Sequence, residues 1–176
     1  MEIYMKTGVP QGSNLAPLLF ILYVNDVPNC LSNSIPALFP DDTNVTTSGS
    51  SMEDIQLKLN NELDNLHHWL LANKLSLNVS KTEYMIIGSR QRLTQISTDP
   101  KISIGSQNIS RVKETKTLGV LVDENITWKN HIEATCKKIS KTIGMMRRVK
   151  SVISNESLKR LYKALVLPNF DYCSLV

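Results

Sequence analysis

Near Thr127 the apolar residues of this chain change their period. Downstream, Ile132, Cys136, Ile139, Ile143 and Met146 form one stripe at three- and four-residue spacing, which predicts a long amphipathic helix. A second helix is predicted after Ser154 or Asn155, with Leu158, Leu161 and Leu165 on its apolar side and Pro168 as its stop. Upstream, several short β-branched and apolar runs are punctuated by Gly, Pro and Asp, as strands and turns are, with helical stretches between them. The expected class is therefore α+β up to about residue 125 and helical after it. With 176 residues, 41% apolar and 20% charged, the chain suits one full domain or two small subdomains and not a wholly disordered protein.

Residues 8–13, Gly-Val-Pro-Gln-Gly-Ser, read as a tight turn. An N-cap at Ser13 or Asn14 then opens a helix over residues 15–24, with Pro17 tolerated in its first turn and an end before Pro28. Residues 35–39 predict a short strand, Asp41 and Asp42 a turn, and residues 43–49 a returning strand. Ser51 and Asp54 form a capping box for an amphipathic helix whose stripe is Ile55, Leu59, Leu63, Leu66 and Leu70. A strand is expected over residues 82–88, a hairpin turning at Gly105 and Ser106, and a further strand over residues 115–123. No internal repeat or low-complexity segment is visible.

The longest apolar run, residues 15–24, is about half of the roughly 20 residues a membrane-spanning helix needs. The first eight residues have neither the basic flank nor the apolar core of a signal peptide. Cys30, Cys136 and Cys173 are odd in number and widely spaced, which predicts reduced thiols in an intracellular compartment. The net charge is only +4, but between residues 129 and 163 ten cations face Glu133 and Glu156 alone. A polyanion is the expected partner of such a segment, although a solvated helix face has the same composition.

Two adjacent carboxylates at a hairpin tip, Asp41 and Asp42, make a hard-oxygen site suited to Mg²⁺. Alone, such a pair is more often an Asx-turn or a solvated loop. His67 and His68 are adjacent on a helix, and His131 and Cys136 are five apart, so neither pair predicts a metal site. Trp69 and Trp128 are expected to be core or interface anchors rather than base-stacking platforms.

Read together and in order, four segments carry more information: residues 8–26 (GVPQGSNLAPLLFILYVND), 39–43 (FPDDT), 73–89 (NKLSLNVSKTEYMIIGS) and 117–132 (TLGVLVDENITWKNHI). Their order, spacing and wording resemble the reverse transcriptases of non-LTR (LINE-like) retrotransposons, and the similarity covers essentially the whole chain. The resemblance implies a partial polymerase palm over residues 1–125, an antiparallel sheet with helices on one face, lacking the fingers and the first catalytic strand. It implies a basic helical thumb over residues 126–176.

Site residues follow by position. Gly8, Pro10, Gln11, Gly12 and Ser13 would lie beside the templating base and incoming nucleotide, and so would Phe39. Asp41 and Asp42 would bind the two Mg²⁺ ions of the family site, Asp41 as principal ligand. Lys81 would sit near the nucleotide phosphates as a catalytic cation. Leu118 and Gly119 would grip the primer end, and Lys137, Lys138, Lys141, Arg147, Arg148 and Lys150 would hold the nucleic-acid backbone.

The implied partners are an RNA template, a DNA primer and deoxynucleoside triphosphates, with no membrane and with an upstream fingers-and-palm segment to complete the site. The family's third aspartate lies on a strand upstream of the glycine-rich turn, and only seven residues precede Gly8. The chain alone is therefore expected not to polymerise DNA. Pro40 stands where the family carries a small or apolar residue, so the hairpin forms only if the N–H at position 40 is not a required donor. Two other expectations remain: a non-catalytic nucleic-acid-binding remnant, or a nonfunctional product of a decayed element.

Overall fold

The structure is a computed structural model that describes residues 14–39 and 42–173. The chain forms two compact units, the first from Met1–Tyr84 with Gln95–Arg111, the second from Met85–Thr94 with Val112–Val176.

The first unit begins with helix α1 (Ala16–Val24). Its N-cap position is Leu15, with no side-chain cap, rather than Ser13 or Asn14. Leu19 N–H already donates to Leu15 carbonyl at 2.9 Å, and Pro17, lacking a donor, sits in the first turn. The helix has no polar face, and none of its residues is buried. A 3₁₀ turn, Val27–Cys30, leads into strands β1 (Ile35–Leu38) and β2 (Thr43–Thr46), an antiparallel hairpin with Leu38 opposite Thr43. Pro36 lies opposite Val45, and a two-stranded sheet tolerates it because each strand is an edge.

Helix α2 (Met52–Ala72) starts as expected: Ser51 Oγ accepts from Asp54 N–H at 3.2 Å, and Glu53 and Asp54 complement the helix dipole in the first turn. Leu63 and Leu66 are buried, with Leu59, Leu70 and Trp69 packed beside them. The facing layer is the hairpin of strands β4 (Ser103–Ile104) and β5 (Gln107–Asn108), which turns at Gly105 and Ser106 as predicted. Ile102, Ile104 and Ile109 from this region join Val27, Leu63 and Leu66 in the core. Gly105 is constrained twice: its φ is +55°, and a Cβ there would stand 2.9 Å from His67 Nε2.

The strand expected over residues 82–88 shrinks to β3 (Glu83–Tyr84), paired in parallel with β6 (Ser110–Arg111). After Tyr84 the chain leaves the first unit and has no ladder partner to continue with. The class is α+β, but the described residues hold four two-stranded sheets, one of them parallel, instead of one antiparallel sheet, because no strand acquires a second neighbour. Within the first unit, an Arg111–Asp99 ion pair and a Tyr84 hydroxyl donating to Pro100 carbonyl at 2.8 Å hold this edge.

The second unit opens with helix α3 (Arg90–Thr94), a turn the sequence reading did not anticipate. Strands β7 (Glu114–Thr117) and β8 (Val120–Asp123) form a hairpin where a single strand was expected. Leu118 and Gly119, with φ of +50° and +87°, make its two-residue turn, since positive φ at both positions matches the twist of the flanking strands.

Helix α4 (Lys129–Val149) buries Ile139 and half-buries His131, Thr135 and Met146, while Ile132 is 57% exposed and Cys136 is exposed. The packed face is thus rotated from the predicted stripe. Strand β8 sets it: Leu121 N–H donates to His131 Nδ1 at 3.3 Å, turning the His131 side inward. Helix α5 (Asn155–Leu165) is capped by Ser154 Oγ, which accepts from Ser157 N–H at 3.1 Å. Pro168 does not simply stop the helical region but occupies the first turn of a short helix, α6 (Pro168–Asp171). Among the described residues no helix is long and apolar enough to cross a membrane.

Asp123 organises the entry to α4. Its carboxylate accepts from the backbone N–H groups of Asn125, Thr127 and Trp128 and from the Thr127 hydroxyl. Partial desolvation pushes this carboxyl upward, but the bonds from Thr127, Asn125 and Trp128 outweigh it and hold it below the ordinary carboxylate value. A lowered folded-state value contributes stability above the unfolded value of about 3.9 and loses it as pH falls through the folded value. Asp123→Asn is expected to lower Tm by roughly 2–4 °C at pH 7. The gap between variant and parent should narrow as thermal melts are run at falling pH below the unfolded value, and a gap that stays constant with pH contradicts the assignment.

Candidate functional site

The acidic hairpin stands on a fixed base. Glu62 on α2 is 1% exposed, yet it lies within the helix's apolar stripe. Its carboxylate accepts from Ser32 N–H at 2.9 Å, Asn33 N–H at 2.9 Å and Asn33 Nδ2 at 3.2 Å. These bonds satisfy the backbone of the loop entering β1 and tie the hairpin to the helix. Sequence reasoning passed over Glu62, although a glutamate between Leu59 and Leu66 on an otherwise apolar face was the available signal.

At the other end, Phe39 N–H donates to Asp42 carbonyl at 2.8 Å, one pair beyond Leu38–Thr43. The described ends of the hairpin thus meet through a donor on residue 39. Phe39 is 37% exposed and the Asp42 side chain is exposed. Gly8, Pro10, Gln11, Gly12, Ser13, Pro40 and Asp41 lie outside the described residues.

Lys81 ends a 3₁₀ turn, Val79–Lys81, in the first unit and is exposed. The structure brings Phe39 and Asp42 together by a hydrogen bond. Leu118, Gly119 and all six cations named above belong to the second unit. Among the described residues no three His, Cys, Asp or Glu side chains converge as a metal cluster, so His67, His68, His131 and Cys136 form no such site. Cys30, Cys136 and Cys173 are free thiols, and burial pushes the Cys30 thiol upward.

The cations make a coherent surface. Lys137, Lys138, Lys141, Arg147, Arg148 and Lys150 are all exposed and, among the described residues, unpaired with carboxylates. Arg160, by contrast, pairs with Glu156 at 2.6 Å. At helical spacing, Lys137, Lys141 and Arg148 share the side of α4 roughly opposite Ile139 and Met146. Gly144 lies between them, and a Cβ there would meet nothing within 4 Å. Packing within the chain does not require a glycine at that place.

Comparison with known proteins gives one family match: residues 1–122 match Reverse transcriptase (RNA-dependent DNA polymerase). The chain is similar to the RNA-directed DNA polymerase from mobile element jockey of Drosophila funebris, 25% identical over 96% of this chain and 19% of that protein. It is similar to the probable RNA-directed DNA polymerase from transposon X-element of Drosophila melanogaster, 27% identical over 97% of this chain and 19% of that protein. It is also similar to the Retrovirus-related Pol polyprotein from type-1 retrotransposable element R1 2 of Nasonia vitripennis, 24% identical over 95% of this chain and 42% of that protein. The chain thus spans about a fifth of the length of the first two relatives. No solved structure matches.

Proposed function

Because this chain belongs to the reverse transcriptase family of non-LTR retrotransposons, we propose that it supplies palm and thumb residues for template-directed DNA synthesis on RNA. The observation that carries this reading is the hairpin within the matched region, which holds Phe39 and Asp42 at its tip on a base fixed by Glu62. In this reading residues 1–125 are palm and residues 126–176 thumb. Gly8, Pro10, Gln11, Gly12 and Ser13 contact template and nucleotide with Phe39, Lys81 neutralises the nucleotide phosphates, and the Leu118–Gly119 turn grips the primer end.

Reverse transcriptases use divalent metal ions, and adjacent aspartates are suitable hard-oxygen donors for Mg²⁺. Asp41 and Asp42 are the residues of this chain that would hold such ions, which supply charge stabilisation at the reacting phosphate. Two neighbouring carboxylates are only part of a two-metal donor set, and no other acidic residue of the chain stands in a matching motif. The chain alone is therefore inactive, and donors from outside it complete the site. The apolar α1, with Leu18 55% and Leu22 64% exposed, supports a further polymerase segment as its cover.

The exposed, unpaired cations of α4 favour a second reading, a nucleic-acid-binding remnant without catalysis. Primer extension on an RNA template with Mg²⁺ separates the two. The chain alone should give no product, and fusion behind the preceding segment of the jockey polymerase should give extension. Product from the chain alone overturns the incomplete-site reading. Product from the fusion only after Pro40→Ala identifies a copy disabled at the hairpin, and silence from both fusions leaves the binding remnant as the function.

A further inference from the structure

Ser151 stands in the turn that joins α4 to α5, one residue past Lys150, the C-cap of α4. Of all serines and threonines in the chain it alone follows an arginine by three residues, Arg148, with Arg147 and Lys150 close beside. Cations at the end of a helix have a plain role, complementing its carbonyl pole. That role does not account for the surroundings of the serine. No residue from 147 to 157 is buried, and Val152 is 83% exposed. Among the described residues the Ser151 hydroxyl makes no hydrogen bond, whereas Ser154 Oγ donates to Ser157 Oγ at 3.0 Å and accepts from Ser157 N–H. The turn itself rests on bonds from Val152 N–H and Ile153 N–H to the Val149 carbonyl, at 2.9 and 3.2 Å. Few contacts therefore oppose a local opening of this segment into extended chain.

A protein kinase holds its substrate as an extended segment, and kinases with acidic clefts select basic residues just before the acceptor by charge complementarity. Arg147, Arg148 and Lys150 supply those charges, Ser151 a free hydroxyl, and Val152 an unpacked apolar side chain on its other side. Ser140 is the competing acceptor, since Lys137 and Lys138 precede it, but it lies within α4 next to the buried Ile139. Reaching it in extended form would unwind a 21-residue helix.

We propose that Ser151 is a phosphoacceptor for a basophilic serine/threonine kinase, and that its phosphorylation loosens the hold of α4 on polyanions. The γ-phosphoryl group of ATP passes to Ser151 Oγ. The new P–O bond forms as the bond to the β,γ-bridging oxygen breaks, ADP leaves, and the hydroxyl proton goes to the catalytic carboxylate of the kinase. The product carries about −1.5 to −2 charge at pH 7. At the carbonyl pole of α4 that charge is unfavourable unless cations meet it. Arg147 and Arg148 lie four and three residues before it, the spacing at which side chains meet across a helical turn. Paired with the phosphoserine, they are no longer free for another anion. The acceptor site stands independently of the nucleic-acid reading, and the loss of binding rests on that reading.

Incubating the full chain with Mg-ATP and the catalytic subunit of cyclic-AMP-dependent protein kinase, as the basophilic probe, tests the site by mass spectrometry. A single phosphate is expected, on Ser151. Ser140→Ala should keep that incorporation and Ser151→Ala should lose it. Arg148→Gln should lower kcat/KM by about tenfold or more, through loss of a guanidinium–carboxylate contact in the kinase cleft. Phosphate on Ser140 or any other residue overturns the site. So does a full chain left unmodified, whether or not a peptide of residues 145–155 is modified. The phosphorylated chain should bind a labelled RNA–DNA heteroduplex about tenfold more weakly than the parent near 100 mM salt, while kinase-treated Ser151→Ala binds like the parent. Equal affinities overturn the switch and leave the nucleic-acid reading standing. A parent that does not bind the heteroduplex overturns that reading and the switch together, and phosphate incorporation still decides the site.

Discussion

Replacing Glu62 by alanine should destabilise the first unit by about 3–5 kcal/mol, a large share of the stability of a domain this size. The reason is asymmetry. The substitution removes an acceptor and strands donors: Ser32 N–H, Asn33 N–H and the Asn33 amide all lose their partner at a site where Glu62 is 1% exposed. Glu62→Gln keeps one oxygen and should cost roughly 1–3 kcal/mol, since its amide presents a donor to the Ser32 N–H. Urea titrations followed by tryptophan fluorescence give the comparison directly, because Trp69 packs against this core. If Glu62→Ala unfolds within about 0.5 kcal/mol of the parent, the carboxylate does not anchor the hairpin. The functional corollary is that hairpin placement, and not metal ligation, is the contribution of Glu62.

The second large effect concerns the basic face. Lys137→Gln/Lys141→Gln/Arg148→Gln should lower the slope of log affinity against log salt for duplex DNA by about 2.7, near 0.9 for each cation. Affinity near 100 mM salt should fall by roughly tenfold to a hundredfold. These side chains lie on the outer side of α4, so Tm should hardly change. An unchanged salt slope means that this face does not meet phosphates. The test is independent of polymerase activity and of the two aspartates. Gly144 gives the same surface a steric feature: with open space in front of it, a phosphate backbone can approach between Lys141 and Arg148.

Much of the local structure was legible in the sequence because its signals act over a few residues. Ser51 and Ser154 each supply the oxygen that starts a helix, and Gly105 supplies the positive φ of a hairpin turn. The ordered motifs around residues 8–26, 39–43, 73–89 and 117–132 carried the family resemblance, and the match over residues 1–122 bears it out. What local signals mishandled were elements defined by their neighbours. A β-branched run over residues 82–88 reads as a strand, but a strand exists only as far as it has a partner, and here that is two residues. The stripe on α4 gave the right period but a face rotated from the packed one, keeping Ile139 and Met146 inward and leaving Ile132 and Cys136 exposed, since rotation about a helix axis is chosen by whatever packs against it, here β8 through His131.

By itself, then, the sequence determined the α+β class and, through its ordered motifs, the family, together with the starts of α2 and α5 and the turn at Gly105 and Ser106, which short-range sterics and hydrogen bonding set. Only the tertiary structure decided that a glutamate on α2 anchors a loop 30 residues away, and that a tyrosine beyond α6 clasps a turn 54 residues upstream. Those contacts join groups far apart along the chain. Their free energy appears only once the core has paid the entropy of bringing them together, so no local pattern records them.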